Sequence, residues 1–105
     1  MTIVLKTYRG DSLNLTARNL INCFETAKRL NYKYVAVKID MQGFAKPEII
    51  INRKENFDDK LEYYLKAYDE NLVLKANNGI RIIGFMYSDT FEDIEEDLSY
   101  EYDLN

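Results

Sequence analysis

The chain has 105 residues and a mass of 12.4 kDa, which is the size of one domain and leaves no room for a second hydrophobic core. Apolar residues make up 47% and charged residues 30% of the chain, with a formal net charge of −4, a balance that is typical of a globular protein and excludes a disordered one. No stretch approaches the roughly 20 apolar residues that a membrane-spanning helix needs.

Histidine is absent, and cysteine occurs once, at Cys23. Without histidine the chain cannot build Ser–His–Asp or Cys–His catalytic groups, nor zinc sites of the usual nitrogen and sulfur ligands. A lone cysteine excludes an internal disulfide, and the opening residues MTIVLKTYRG lack the features of a signal peptide. We therefore expect a cytoplasmic protein that is not an enzyme, with no cofactor and no metal.

The first half of the chain predicts strand, helix and strand. Residues 2–8 are β-branched and aromatic, which favours a strand. From 13 to 30 the apolar residues recur every 3.6 positions, which indicates an amphipathic helix with Ser12 or Thr16 as its N-cap. Asn31 breaks that pattern, and residues 34–39 alternate like a half-buried strand.

The second half predicts strand, helix, strand and a last helix. Residues 48–52 form a short apolar run, and Asn56 precedes an amphipathic segment over 57–72. Residues 80–87 form the most apolar strand. The string Asp89-Thr90-Phe91-Glu92 matches a capping box that opens a helix over 90–98.

The element order β-α-β-β-α-β is that of a ferredoxin-like fold. It predicts an α+β sandwich, with a four-stranded antiparallel sheet in the order 4-1-3-2 and two helices on one face, followed by an extra acidic C-terminal helix. We expect residues 1–87 to form this single domain and residues 88–105 to form the acidic helix and tail.

Charge is divided unevenly along the chain. Residues 88–105 contain eight acids and no Lys or Arg, so the first 87 residues hold all 14 bases and the remaining 10 acids, 14 − 10 = +4. Phe91, Ile94 and Leu98 form an apolar stripe on the acidic helix. Because so short a helix is marginal in isolation, we expect this docking stripe to pack on the body of the protein or on a partner.

The sheet face opposite the helices is the candidate binding surface. Alternation along the strands gives it basic and aromatic residues, although the phase of strand 80–87 is open. RNA-recognition domains with this element order use such a face, but the strands here do not match their RNP strings. The predicted surface consists of Lys6, Tyr8, Tyr34, Lys38, Arg81 and Tyr87.

Three functions compete. The leading hypothesis is a small non-catalytic binding or regulatory module that acts through contacts with a protein partner or with further copies of itself; no membrane partner is expected. The alternative is a nucleic-acid-binding domain that uses the open sheet face. The negative net charge of the chain disfavours this alternative. The third is a carboxylate–metal enzyme built on Asp40, Glu48, Asp58 and Asp59. Richness in Asn, Lys, Ile and Tyr is typical of AT-rich genomes, such as those of low-GC bacteria, their phages or plasmids.

Overall fold

The computed structural model describes residues 7–9 and 15–99, with side chains from 15 to 98. Their elements, in chain order, are β1 (Thr7–Arg9), α1 (Ala17–Arg29), β2 (Tyr34–Met41), β3 (Glu48–Arg53), a 3-10 turn (Lys54–Asn56), α2 (Phe57–Ala67), β4 (Ile80–Ser88) and α3 (Phe91–Ile94), which continues as a π-helical turn (Glu95–Ser99). Among these residues, no helix is long and apolar enough to cross a membrane.

Helix α1 is capped by local hydrogen bonds at both ends. The hydroxyl of Thr16 accepts from the backbone N–H of Asn19, and the Asn19 side chain accepts from the N–H of Thr16 at 2.9 Å, which completes a capping box. At the other end Asn31 has φ 64°, and the N–H of Tyr32 donates to the C=O of Ala27 at 2.9 Å. This Schellman motif ends α1 and directs the backbone toward β2.

Helix α2 ends earlier than the predicted 57–72 because Asp69 competes for the backbone. The carboxylate of Asp69 accepts hydrogen bonds from the N–H groups of Asn71 and Val73 at 2.8 and 3.0 Å. Asp and Asn favour such local bonds over helix. The chain therefore leaves the helix after Ala67 and folds back, and Tyr68 pairs with Leu74 in an isolated bridge.

The predicted ferredoxin-like arrangement is wrong, although the protein is α+β. Among the described residues, the sheet has three long antiparallel strands in the order β4-β2-β3, and Thr7–Arg9 of β1 pair along the outer edge of β4. Three helices accompany this sheet, rather than two on one face of four full strands. The first and third strands, which a ferredoxin-like fold makes central neighbours, lie apart, and β2 and β4 pair in the middle instead.

The strand order differs from the ferredoxin-like order because both faces of the sheet are covered. On the first face, α1 and α2 pack over alternate residues of β2 and β4; on the second, α3 and its π-helical turn pack over Ala36 and Met86. A strand covered on both faces is mostly apolar, and this holds for residues 35–39 of β2, apart from Lys38, and for residues 82–87 of β4. The first-face core includes Leu20, Phe24, Ala27, Val35, Val37, Phe57, Tyr64, Ile82 and Phe85.

One polar pair is buried between β3 and α2. The Nδ2 of Asn52 donates to the C=O of Val35 at 3.1 Å and to the hydroxyl of Tyr64 at 3.3 Å. Asn52 and Tyr64 are each 1% exposed. Burial raises the pKa of Tyr64 to about 12, against a smaller lowering by its hydrogen bond with Asn52. The pair fixes the distance between the helix and the edge of the sheet.

We expect Tyr64 to make the protein alkali-sensitive. Its ordinary pKa is 10 and its folded pKa about 12, so the unfolded chain loses this proton first. The stabilisation is fully present below pH 10 and is lost as the pH rises through about 12, by at most about 1.4 kcal/mol per pH unit. Urea unfolding between these pH values measures the slope. Tyr64→Phe should reduce this slope, with the burial-raised pKa of Tyr68 contributing to the part that remains, and Tyr63→Phe, at a tyrosine 53% exposed, should leave it unchanged; equal slopes in both variants would contradict the assignment.

Candidate interaction surface

Strand β3 forms an edge of the sheet. It pairs with β2 on one side, and no residue in the described part of the chain pairs with its other side. Its sequence places three consecutive isoleucines between Glu48 and Asn52. Proteins commonly protect edge strands with lysine, proline or a bulge. Glu48–Arg53 contains no lysine, proline or bulge and carries charges only at its two ends, so the isoleucines between them can accept another strand.

The ladder with β2 shows which backbone groups point outward. The N–H of Lys54 donates to the C=O of Lys33 at 2.9 Å, and this pair continues the β2–β3 register. Hydrogen-bonded pairs alternate along an antiparallel ladder, so the even-numbered residues of β3 direct their N–H and C=O groups toward β2. The N–H and C=O groups of Ile49, Ile51 and Arg53 therefore point to the outer edge.

Apolar side chains lie beside these outward groups. Ile49 and Ile51 are on the second face, where Ile49 packs against the cluster around Ala36 and Ile51 remains 38% exposed. Tyr34 lies on the same face, and its ring centroid is 4.8 Å from that of Phe91, which is 50% exposed. We call the outward backbone of β3 and the side chains of Ile49, Ile51, Tyr34 and Phe91 the β3 edge surface.

The sheet face that was expected to be open is covered. Residues 91–98 lie on it, and Lys38 is 6% exposed beneath them. The Nζ of Lys38 donates to the C=O of Leu98 at 2.6 Å. A cation is favourable at that position because the last carbonyls of a helix carry partial negative charge. Lys38 thus lies beneath the C-terminal segment and is bonded to its backbone.

The other residues of the predicted basic and aromatic surface are scattered. Lys6 lies outside the described residues, and Tyr8 is described only by its backbone, which pairs with Phe85. Tyr87 points to the first face, where its ring packs on Tyr32 at 4.6 Å. Arg81 is exposed and opposes Asp40, whereas Tyr34 opposes Ser88 at the other end of β2, about 20 Å away. The described residues of this set do not form one surface.

The predicted docking stripe divides into two parts. Ile94 and Leu98 are 2% and 1% exposed and pack on Ala36 and Met86. Phe91 is half exposed and stacks on Tyr34. The N-cap of α3 is Thr90, whose hydroxyl accepts from the N–H of Asp93 at 3.2 Å. Two of the three side chains attach the segment to the sheet, and the third adds to the β3 edge surface.

The candidate reactive groups lie apart from one another. Asp58 is exposed at the start of α2 and pairs with Lys28 at 2.8 Å. Within residues 7–9 and 15–99, no group of three His, Cys, Asp or Glu side chains is placed to hold a metal ion, so Asp40, Glu48, Asp58 and Asp59 do not assemble there. Cys23 is fully buried in α1, and burial raises the pKa of its thiol far above the ordinary value.

The sequence carried one signal for the β3 edge surface. A run of three isoleucines follows Lys46, Pro47 and Glu48, which is the pattern of an apolar strand that begins just after a residue unable to continue a ladder. The exposure of that strand became visible only with the strand order. Comparison of the chain with protein-family models, with curated proteins and with solved structures gave no match.

Proposed function

We propose that this chain is a non-catalytic protein-binding module whose partner adds an extended strand to the outer edge of β3. The observation that carries the proposal is the edge itself, where Ile49, Ile51 and Arg53 present outward N–H and C=O groups beside an apolar strip. In strand addition, backbone hydrogen bonds supply affinity and alternate side chains supply specificity. Here Ile51 and Phe91 are the exposed apolar contacts for a partner's side chains.

The chemistry of the surface favours a polypeptide over a nucleic acid. Nucleic-acid affinity comes largely from Lys and Arg contacts to phosphates. Lys38, which is one of the cations of that hypothesis, is buried under residues 91–98, and Arg81 lies at the far end of the sheet from Tyr34. The β3 edge surface offers instead unpaired peptide groups and apolar side chains, which an extended peptide complements.

Selection from a displayed library of random peptides tests the proposal. We expect enrichment of peptides with alternating β-branched or aromatic residues, and loss of their binding to Ile51→Pro, measured by fluorescence anisotropy. Proline removes the outward N–H of residue 51 and leaves the ladder with β2 intact, which edge strands tolerate. If circular dichroism shows that Ile51→Pro is unfolded, Ile51→Asp takes its place.

Tyr63→Ala is the matched control. Tyr63 is 53% exposed on α2, so the variant removes an exposed aromatic residue outside the β3 edge surface. Peptides that bind this variant as tightly as the original chain, but lose affinity for Ile51→Pro, support strand addition. Failure of the single-chain species to select any peptide, or equal binding to all variants, would overturn the proposed function.

A further inference from the structure

We infer that the strand added to β3 is β3 of a second copy of this chain, so that the protein is a symmetric dimer with one continuous sheet across two molecules. This inference rests on the proposed function and names its partner. Isologous two-fold dimers are the commonest oligomers, but the reason for choosing a second copy lies in β3 itself. Its outward groups and side chains complement their own two-fold image.

Symmetry restricts how two β3 strands can pair. Directly opposed residues of an antiparallel pair point to the same face of the sheet. A two-fold axis normal to the sheet preserves the faces, so a residue can oppose only itself or one an even number of positions away. This condition allows only registers in which one residue lies on the two-fold axis and opposes its own image. Placing Ile50 or Ile51 on the axis keeps most residues of β3 paired.

Hydrogen bonding selects the register centred on Ile51. In it Ile51 opposes Ile51 of the second copy, and Ile49 opposes Arg53 of the second copy. Every outward N–H and C=O group of the two strands then finds a partner. In the register centred on Ile50, Arg53 opposes Pro47 of the second copy, which has no N–H to donate.

The side chains of β3 are complementary to one another in this register. Ile51, which is 38% exposed in one copy, meets its own image on the axis and becomes covered. The aliphatic stem of Arg53 lies over Ile49 of the second copy. Glu48 comes opposite Lys54 of the second copy, so that each end of the joined strands carries an opposite-charge pair. In one copy the Nζ of Lys54 donates to the Oδ1 of Asn31 at 2.9 Å, at an exposed site.

Light scattering coupled to size exclusion tests the dimer on the full chain. We expect a mass of twice 12.4 kDa at high protein concentration. Ile51→Lys should return the mass to that of one chain, because it places two ammonium groups opposite each other on the axis. Tyr63→Lys adds the same charge on α2 and should leave the dimer intact. A single-chain mass for the original protein up to millimolar concentration would overturn the inference.

Cysteine cross-linking tests the register. Opposed residues of a hydrogen-bonded pair have Cα atoms about 5.5 Å apart, within the range of about 4.4–6.8 Å that a disulfide spans. Ile51→Cys should therefore form a linked dimer on mild oxidation, seen by non-reducing electrophoresis after free thiols are alkylated. Ile49→Cys lies on the same face, but its image is about 13 Å away along the strand, so it should not link. The buried Cys23 is common to both variants. Linking of Ile49→Cys in preference to Ile51→Cys would overturn the register.

The two proposals fail in different ways. A monomeric chain that still selects peptides, with loss of binding in Ile51→Pro, keeps the proposed function and rejects the second copy as partner. A monomeric chain that selects no peptide rejects both. A dimer that survives Ile51→Lys places the contact elsewhere and rejects the use of the β3 edge surface.

Discussion

Replacing Phe24 with alanine should lower the free energy of unfolding by about 3–5 kcal/mol, which is the usual loss for a buried phenylalanine. Phe24 is fully buried on α1, and its ring meets that of Phe57 edge to face, with centroids 5.5 Å apart. A tilted contact with Tyr64 at 6.2 Å completes the group. This ring fills the space between α1 and α2, so its removal leaves a cavity that neither helix can close alone.

Urea denaturation followed by circular dichroism measures this loss. Phe44→Ala is the control, because Phe44 is 67% exposed in the connection between β2 and β3 and should change stability by less than about 0.5 kcal/mol. A loss below about 1 kcal/mol for Phe24→Ala would mean that the two helices do not pack through this side chain.

The second large effect concerns attachment of the C-terminal segment. Ile94→Ala and Leu98→Ala should each cost about 2–5 kcal/mol, because both side chains are buried against Ala36 and Met86. Together they approach the total stability of about 5–15 kcal/mol that a domain has. The double variant should release residues 91–99 and expose the second face of the sheet. We expect faster amide hydrogen exchange in β2 and β4 and increased binding of a hydrophobic dye.

Glu95→Ala is the matched control for this effect. Glu95 is exposed on the same segment, one residue after Ile94, and carries no side-chain hydrogen bond or ion pair among the described residues. Its removal also reduces negative charge in an acidic helix, so stability should stay the same or rise slightly. A double variant as stable as Glu95→Ala would show that the segment is only loosely attached.

Local sequence signals predicted the positions of the helices and strands but not all their ends. Helix α1 lies within 13–30 because its apolar residues keep the helical period, with Thr16 and Asn31 at its ends. Helix α2 stops at Ala67, although the apolar period continues to Leu72, because the carboxylate of Asp69 binds the following N–H groups. A side chain that competes for backbone donors is not visible in hydrophobic periodicity.

The order of the strands in the sheet could not be predicted from the sequence pattern. Alternation indicates which side chains share a face, but it does not indicate which strands are neighbours. Lys38 illustrates this limit, since a lysine in an alternating strand predicts an exposed position, yet its Nζ is satisfied by the C=O of Leu98 far along the chain. Ile51 illustrates the reverse, since its place in the apolar run 48–52 favours a buried position, yet it is 38% exposed at an edge. The burial of Lys38 depends on where residues 91–98 lie, and the exposure of Ile51 depends on where β2 lies relative to β3.

The central position of β4 has a consequence for how the protein folds. The pair that joins Tyr34 to Ser88 closes a loop of 88 − 34 = 54 residues, and the hairpin of β2 and β3 that forms earlier is marginal by itself. Neither cluster of buried side chains is complete until β4 pairs with β2, because each contains residues of β4. Folding is therefore expected to be a single cooperative step, limited in rate by a search over long sequence separation, and chains that end before β4 should remain unfolded and sensitive to proteases.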